Sequence, residues 1–212
     1  MNNEILKKTK MKKLVEAHTN NIEISNMNLK DKYTNFEQSK LQESKTLLYE
    51  IKEKPKYFKR YSRGRIVKVS FGVNIGSEFS GDHFAIVVSK NDTAYNPVLH
   101  VIPITSKFHK NYLNIGSALI NEEYIKELND LYNSTEISDK DKKKITTCLK
   151  YYKSRDNYIS YAAIEHMKTV SKLSIMKPIN EYDYITKLKL SNDLLEELNE
   201  EIIKEFTISK LK

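Results

Sequence analysis

The chain has 212 residues, enough for one domain with appendages and a core that needs no disulfide or metal staples. Its formal charge is +8, from 36 Lys and Arg against 28 Asp and Glu, which raises nucleic acid among possible anionic partners. The single cysteine, Cys148, excludes an intrachain disulfide framework. No stretch reaches the ~20 apolar residues of a membrane helix.

The N-terminal MNNEILKKTKMKKL is charged throughout and lacks the apolar core of a signal peptide, so a cytoplasmic protein off the membrane is expected. Residues 1–57 read as a helical extension. Leu6, Met11, Leu14 and Val15 recur at helical spacing, and Leu41, Leu47, Leu48 and Ile51 repeat the pattern further on. The spacing predicts two amphipathic helices or a loosely docked helical arm.

The texture changes at Pro55. RIVKVSF (Arg65–Phe71) alternates as a half-buried strand does. HFAIVVS (His83–Ser89) is apolar almost throughout, as a central strand is, and VLHVIPIT (Val98–Thr105) reads as a third strand. Between the first two lies GVNIGSEFSGD (Gly72–Asp82), which holds three of the five glycines and predicts a shaped loop. NDTAYNP (Asn91–Pro97) is a second turn-rich connection.

Residues 121–150 read as a helical insertion, with Ser138 and Asp141 forming a capped start. NYISYAAIEHMKTVS (Asn157–Ser171) returns to strand character. The tail carries Leu194, Leu195, Leu198, Ile202 and Phe206 on one face of a helix, with Ser191 or Asn192 as N-cap. The order is helices, three strands, a helical insertion, one or two strands, then a helix: an α+β chain with a mainly β core over residues 58–212.

Walker, G-x-G-x-x-G and H-E-x-x-H motifs are missing. The five histidines (His18, His83, His100, His109, His166) show no metal-binding spacing on one element, so neither a metal site nor any other cofactor is expected. The chemistry-bearing residues gather at the glycine loop. His83 opens the second strand, and Thr105 and Ser106 close the third beside Lys107. If these strands are neighbours, an imidazole, two hydroxyls and an ammonium meet. Such a set suits phosphodiester cleavage by the substrate's own 2′-OH, which needs a proton acceptor, a proton donor and donors for the phosphorane charge. A strand-start histidine with ordinary turn-forming Thr and Ser is the plainer alternative.

The run Arg63–Lys107 resembles the MazF/PemK family of toxins. Arg63-Gly64-Arg65-Ile66-Val67 is similar to the family's opening R-G-D/E-I-V strand, and Gly76-Ser77-Glu78 with Gly81 to its G-S-E-x-x-G loop. His83–Ser89 stands where the family has R-P-A-L-V-I-S, and Ile102–Ser106 where it has V-x-P-I-T-S. Ala163–Val170 resembles the late E-Q-I-R-T-I strand. The resemblance implies a small SH3-like antiparallel barrel of the MazF/PemK/CcdB kind that forms a two-fold homodimer. It implies a metal-independent endoribonuclease toxin cutting single-stranded RNA, usually messenger RNA, and held inactive by an antitoxin.

The family's catalytic pair maps to His83 and Thr105. One departure stands out: the family arginine is His83 here, and the following proline is Phe84. Arginine is always charged, whereas histidine can act as base or acid near neutrality. The expectation is that His83 carries the proton transfer, Thr105 and Ser106 hold the phosphate, and Arg65 or Lys107 supplies positive charge. The loop with Ser77 and Glu78 borders the RNA cleft as a lid. Lys107, Lys110 and Lys168 are candidate phosphate contacts, and Phe79, Tyr95, Phe108 and Tyr112 candidate base-stacking rings. Two alternatives remain open at this point: a catalytically silent RNA- or protein-binding module on the same barrel, or a toxin restrained by an RNA antitoxin.

Overall fold

The computed structural model describes residues 3–27, 29–117, 119, 122–154 and 159–207; parts of the expected segments (residues 1–2, 121, 157–158 and 208–211) lie outside them. Six strands and five α-helices are present among the described residues: α1 (Asn3–Asn26), α2 (Phe36–Glu53), β1 (Ile66–Ser70), β2 (Asp82–Val87), β3 (Val98–Thr105), β4 (Leu113–Gly116), α3 (Glu122–Asn133), α4 (Asp139–Lys153), β5 (Ser160–Ala162), β6 (Lys168–Ser171) and α5 (Asn192–Phe206). The fold is a mixed α+β one around a six-stranded antiparallel sheet, with the three long strands where alternation and apolar runs placed them.

β3 organises the sheet. One edge pairs with β2, and the other is shared: Val98–Val101 pairs with β6, then Ile104–Thr105 with β5. Pro103 sits where the partner changes. It has no N–H to give the ladder, and its carbonyl instead accepts from Ala163 N at 2.9 Å. The stretch over 157–171, expected as one or two strands, is two short strands among the described residues, separated by a 3-10 turn at Ile164–His166. β4, which no pattern marked, pairs with β5 across an irregularity between Asn114 and Gly116.

The sheet is open along its path from β1 to β4. The outer edge of β1 takes isolated bridges instead of a neighbouring strand: Val69 with Ile175 and Arg65 with Lys189.

Alternation puts two apolar sets on the two faces of the sheet. Val67, Val69, Ala85, Val87, Leu99, Val101 and Val170 pack on one. Ile66, Phe84, Ile86, Val88, Ile102, Ile104 and Ile115 pack on the other, under Leu198 of α5 with Leu194, Leu195 and Ile202 beside it. Both faces of β2 are thus covered, which is why its sequence reads as a continuous apolar run. Ser191 caps α5 by accepting from Leu194 N at 3.3 Å. Ser191→Ala should lower stability by about 1 kcal/mol in chemical denaturation, with the denaturant slope unchanged.

The insertion forms a helical hairpin, α3 against α4, with its own core of Tyr124, Leu128, Ile145, Cys148, Leu149 and Tyr152. The Ser138 cap is formed as expected, accepting from Asp141 N at 3.2 Å. Tyr152 donates to Asp183 Oδ1 at 2.5 Å, tying the hairpin to the chain that leads into α5. Burial pushes the Cys148 thiol up to about 11, and it donates to Asn180 Oδ1 at 3.3 Å.

The N-terminal extension is helical but keeps its apolar residues in water. Leu14 of α1 is 68% exposed and Ile51 of α2 65% exposed, whereas Phe36 at the start of α2 is buried. The arm is fastened by polar contacts: Lys32 donates to the carbonyls of Asn74 (2.8 Å) and Gly76 (2.7 Å) in the glycine loop.

Candidate active site

The loop between β1 and β2 is built by glycine and by Asn74. Gly72 (φ +73°) and Gly81 (φ +85°) adopt left-handed backbone that few other residues tolerate, and Gly81 N donates to Gly72 O at 2.7 Å to close the neck. The Asn74 side chain donates to the carbonyls of Phe71 (2.9 Å) and Phe79 (2.7 Å), and Asn74 N donates to Ser80 Oγ at 3.0 Å. A firmly bonded base thus carries an exposed tip of Ile75, Gly76, Ser77 and Glu78.

His83 and Thr105 fall opposite each other because β2 and β3 are antiparallel. The β2–β3 ladder ends with Ala85 paired to Pro103, and the same register carried two residues on sets His83 across from Thr105. Both line a groove of about 1360 Å³, together with Ser77, Glu78, Phe79, Lys107, Tyr112, His166 and one side of α2. Lys107 N donates to Thr105 Oγ1 at 3.1 Å, so the hydroxyl is fixed toward the turn that carries the ammonium.

His83 is half-buried. Burial holds its imidazole below the ordinary histidine range and Lys107 adds to this, against the opposing pull of the backbone at Ile104 and Ser80 and of the Asp82 carboxylate. The neutral form is therefore favoured near neutral pH.

Phe79 stands edge-on between two imidazoles, its centroid 4.5 Å from that of His83 and 5.5 Å from that of His166. Behind His166, Glu165 Oε1 lies 3.9 Å from His166 Nε2 and 3.7 Å from His109 Nδ1. Asn111 Nδ2 donates to Glu165 Oε2 at 3.4 Å, and Tyr112 packs against both histidines. Sequence reasoning missed this second acid–base group. Glu165 and His166 lie more than 50 residues from His109, Asn111 and Tyr112 in the chain, and only the turn at 164–166 brings the two sets together.

Of the residues expected at the site, His83, Thr105, Lys107, Ser77 and Glu78 share the groove. Ser106 and Lys110 are exposed and do not line it. Lys168 lies with its ammonium 5.6 Å from the centroid of the Phe71 ring, and Arg65 lines a different cavity. Phe79 and Tyr112 line the groove, whereas Tyr95 packs on Tyr57 and Phe108 on Tyr161. The groove is also less positive than expected: Lys32, Lys40, Lys107 and Lys177 face Asp31, Glu43, Glu50, Glu78 and Asp82. Among the described residues, no group of three or more His, Cys, Asp and Glu is arranged to hold a metal ion, and no helix is long and apolar enough to cross a membrane.

A family model described as PemK-like, MazF-like toxin of type II toxin-antitoxin system matches residues 62–206. The chain belongs to this family. No curated protein matches it. The matched span runs from the residues just before β1 to the end of α5, and it takes in the glycine loop, His83, Thr105 and the 164–166 turn. The arm formed by α1 and α2 precedes it.

Proposed function

We propose that this chain is the toxin of a toxin–antitoxin pair and an endoribonuclease that cuts single-stranded RNA, messenger RNA foremost, without a metal. The observation that carries the reading is the shared groove of His83, Thr105 and Lys107, closed on its far side by His166. In this scheme neutral His83 takes the proton of the substrate 2′-OH, and the 2′-oxygen forms a bond to phosphorus. The bond from phosphorus to the 5′-oxygen breaks, and that oxygen receives a proton from the His166 imidazolium. Thr105 and Lys107 hold the phosphate oxygens as charge develops, with Ser106 beside them. Glu165, whose Oε1 lies 3.9 Å from His166 Nε2, orients the ring.

Phe79 occupies the space between the imidazoles in the free protein. A nucleobase entering the groove displaces it, and the exposed tip with Ser77 and Glu78 moves as the lid. Lys110 and Lys168 serve the strand outside the cut bond. We read the six-stranded sheet of residues 58–212 as the family's SH3-like barrel, paired two-fold in a homodimer. Residues 1–57 are an extension to it, and an antitoxin protein binds over the groove in the cytoplasm.

The test is digestion of a long RNA in the presence of chelator. The expected ends are a 2′,3′-cyclic phosphate and a 5′-hydroxyl; cleavage that disappears with chelator, or 3′-hydroxyl ends, would sink the scheme. The pH profile adds a sign. A base must be neutral, and burial lowers the His83 pKa, so kcat/KM should stay high below the ordinary histidine value of about 6.5 and fall only at more acid pH. An acid limb centred above that value would contradict the assignment.

A further inference from the structure

The groove carries five carboxylates against four lysines at its walls, yet a strand of RNA brings a negative charge with every nucleotide. A second cavity, of about 900 Å³, meets the groove along Ile175, Met176 and Lys177, which line both. Its charge is one-sided. Lys59, Arg60, Arg65, Lys68, Lys90 and Lys177 line it, and the single carboxylate there, Asp92, is already paired with buried Lys172. Arg63 is occupied in the fold, donating to Val88 O at 2.7 Å and to Asn199. Arg60, Lys90 and Lys177 stand exposed and, among the described residues, without a carboxylate partner. Tyr61 supplies a ring beside them, and Met176 and Pro178 an apolar wall.

We propose that this cavity is a nucleotide subsite for the RNA strand beyond the cleaved bond, with phosphates on the Arg60, Lys90 and Lys177 rim and a base over the apolar wall beside Tyr61. The inference rests on the nuclease reading of the groove and extends it. A cavity of this size holds a nucleotide unit. Like-charged side chains crowd one opening at an electrostatic cost that an incoming polyanion relieves. Continuity over residues 175–177 gives the strand a path from His83 into the basic cavity.

The experiment compares the wild-type chain with the double variant Arg60→Gln/Lys90→Gln, neither position being in the cleavage machinery. Fluorescence anisotropy with a long labelled single-stranded RNA is run across a salt series, and cleavage kinetics are run on that RNA and on a tetranucleotide that reaches only the scissile bond. Expected for the variant is about tenfold weaker binding of the long RNA and a salt slope reduced by between roughly one and two. KM for the long RNA rises with kcat kept, tetranucleotide cleavage is unchanged, and the melting temperature is that of the wild type. Equal salt slopes and equal KM would overturn the subsite while leaving the nuclease reading in place. A wild-type chain that binds RNA without cutting it defeats the nuclease reading alone, because the slope reports binding by itself. Binding of free AMP to the wild type but not the variant, with RNA binding unaltered, would show a small-anion site and overturn the proposal too.

Discussion

Replacing His83 with Gln should lower RNA cleavage by roughly 100- to 10,000-fold, with RNA affinity and melting temperature close to wild type. Glutamine keeps polar atoms near the Ile104 and Ser80 backbone but cannot accept a proton from a 2′-OH. The imidazole is half-buried at the start of β2 and meets the edge of Phe79 at 4.5 Å between centroids, so glutamine fits with little repacking. His83→Arg places the residue the family uses at this position. A guanidinium does not titrate in the accessible range, so the acid limb assigned to His83 should vanish from the pH profile of that variant. Wild-type rates in His83→Gln would remove the imidazole from the mechanism.

The largest effect expected on stability comes from the buried ion pair at the end of β6. The side chains of Lys172 and Asp92 are 2% and 0% exposed, and Lys172 Nζ lies 2.7 Å from Asp92 Oδ1. The same ammonium donates to Thr93 O at 3.0 Å, and Asp92 Oδ2 accepts from Tyr61 N at 2.8 Å. Three segments distant in sequence are held at this point. Lys172→Met leaves a carboxylate buried without its cation, which costs about 3–5 kcal/mol. For a chain of this length that corresponds to a fall in melting temperature of about 10 °C or more. Lys172→Met/Asp92→Leu removes both charges and should recover part of the loss. A single variant that melts with the wild type would show that water reaches the pair.

The sheet was legible in the sequence where burial imposes a simple pattern. β3 begins and ends at Val98 and Thr105, where its apolar run does, and β1 and β2 differ from expectation only at their ends. Pattern fails where tertiary pairing decides. Nothing local breaks the apolar stretch around Ala163, yet β3 changes partner at Pro103 and divides it into β5 and β6. β4 spans four residues, of which only Leu113 and Ile115 are apolar, too few to set a period. The helices of the arm are foreseen from the spacing of Leu41, Leu47 and Ile51, but spacing cannot tell whether a core exists to receive them.

The site divides in the same way. His83 and Thr105 come from motif and register, both carried by short sequence. The Glu165, His166 and His109 group depends on a turn that folds back across the sheet, and the charge of each cavity depends on which dispersed lysines and arginines converge. Arg65 was expected beside His83; it points to the basic cavity because it precedes β1, at the far end of that strand from the glycine loop.

The grip of Lys32 on the loop has a kinetic side. One ammonium holds the carbonyls at positions 74 and 76, so the tip swings out only by giving up two charge-assisted bonds to a residue thirty positions upstream of the family-matched span. On the proposed nuclease reading, the pace at which an RNA strand gains entry is then set from outside the family-matched span, by a lever on the arm.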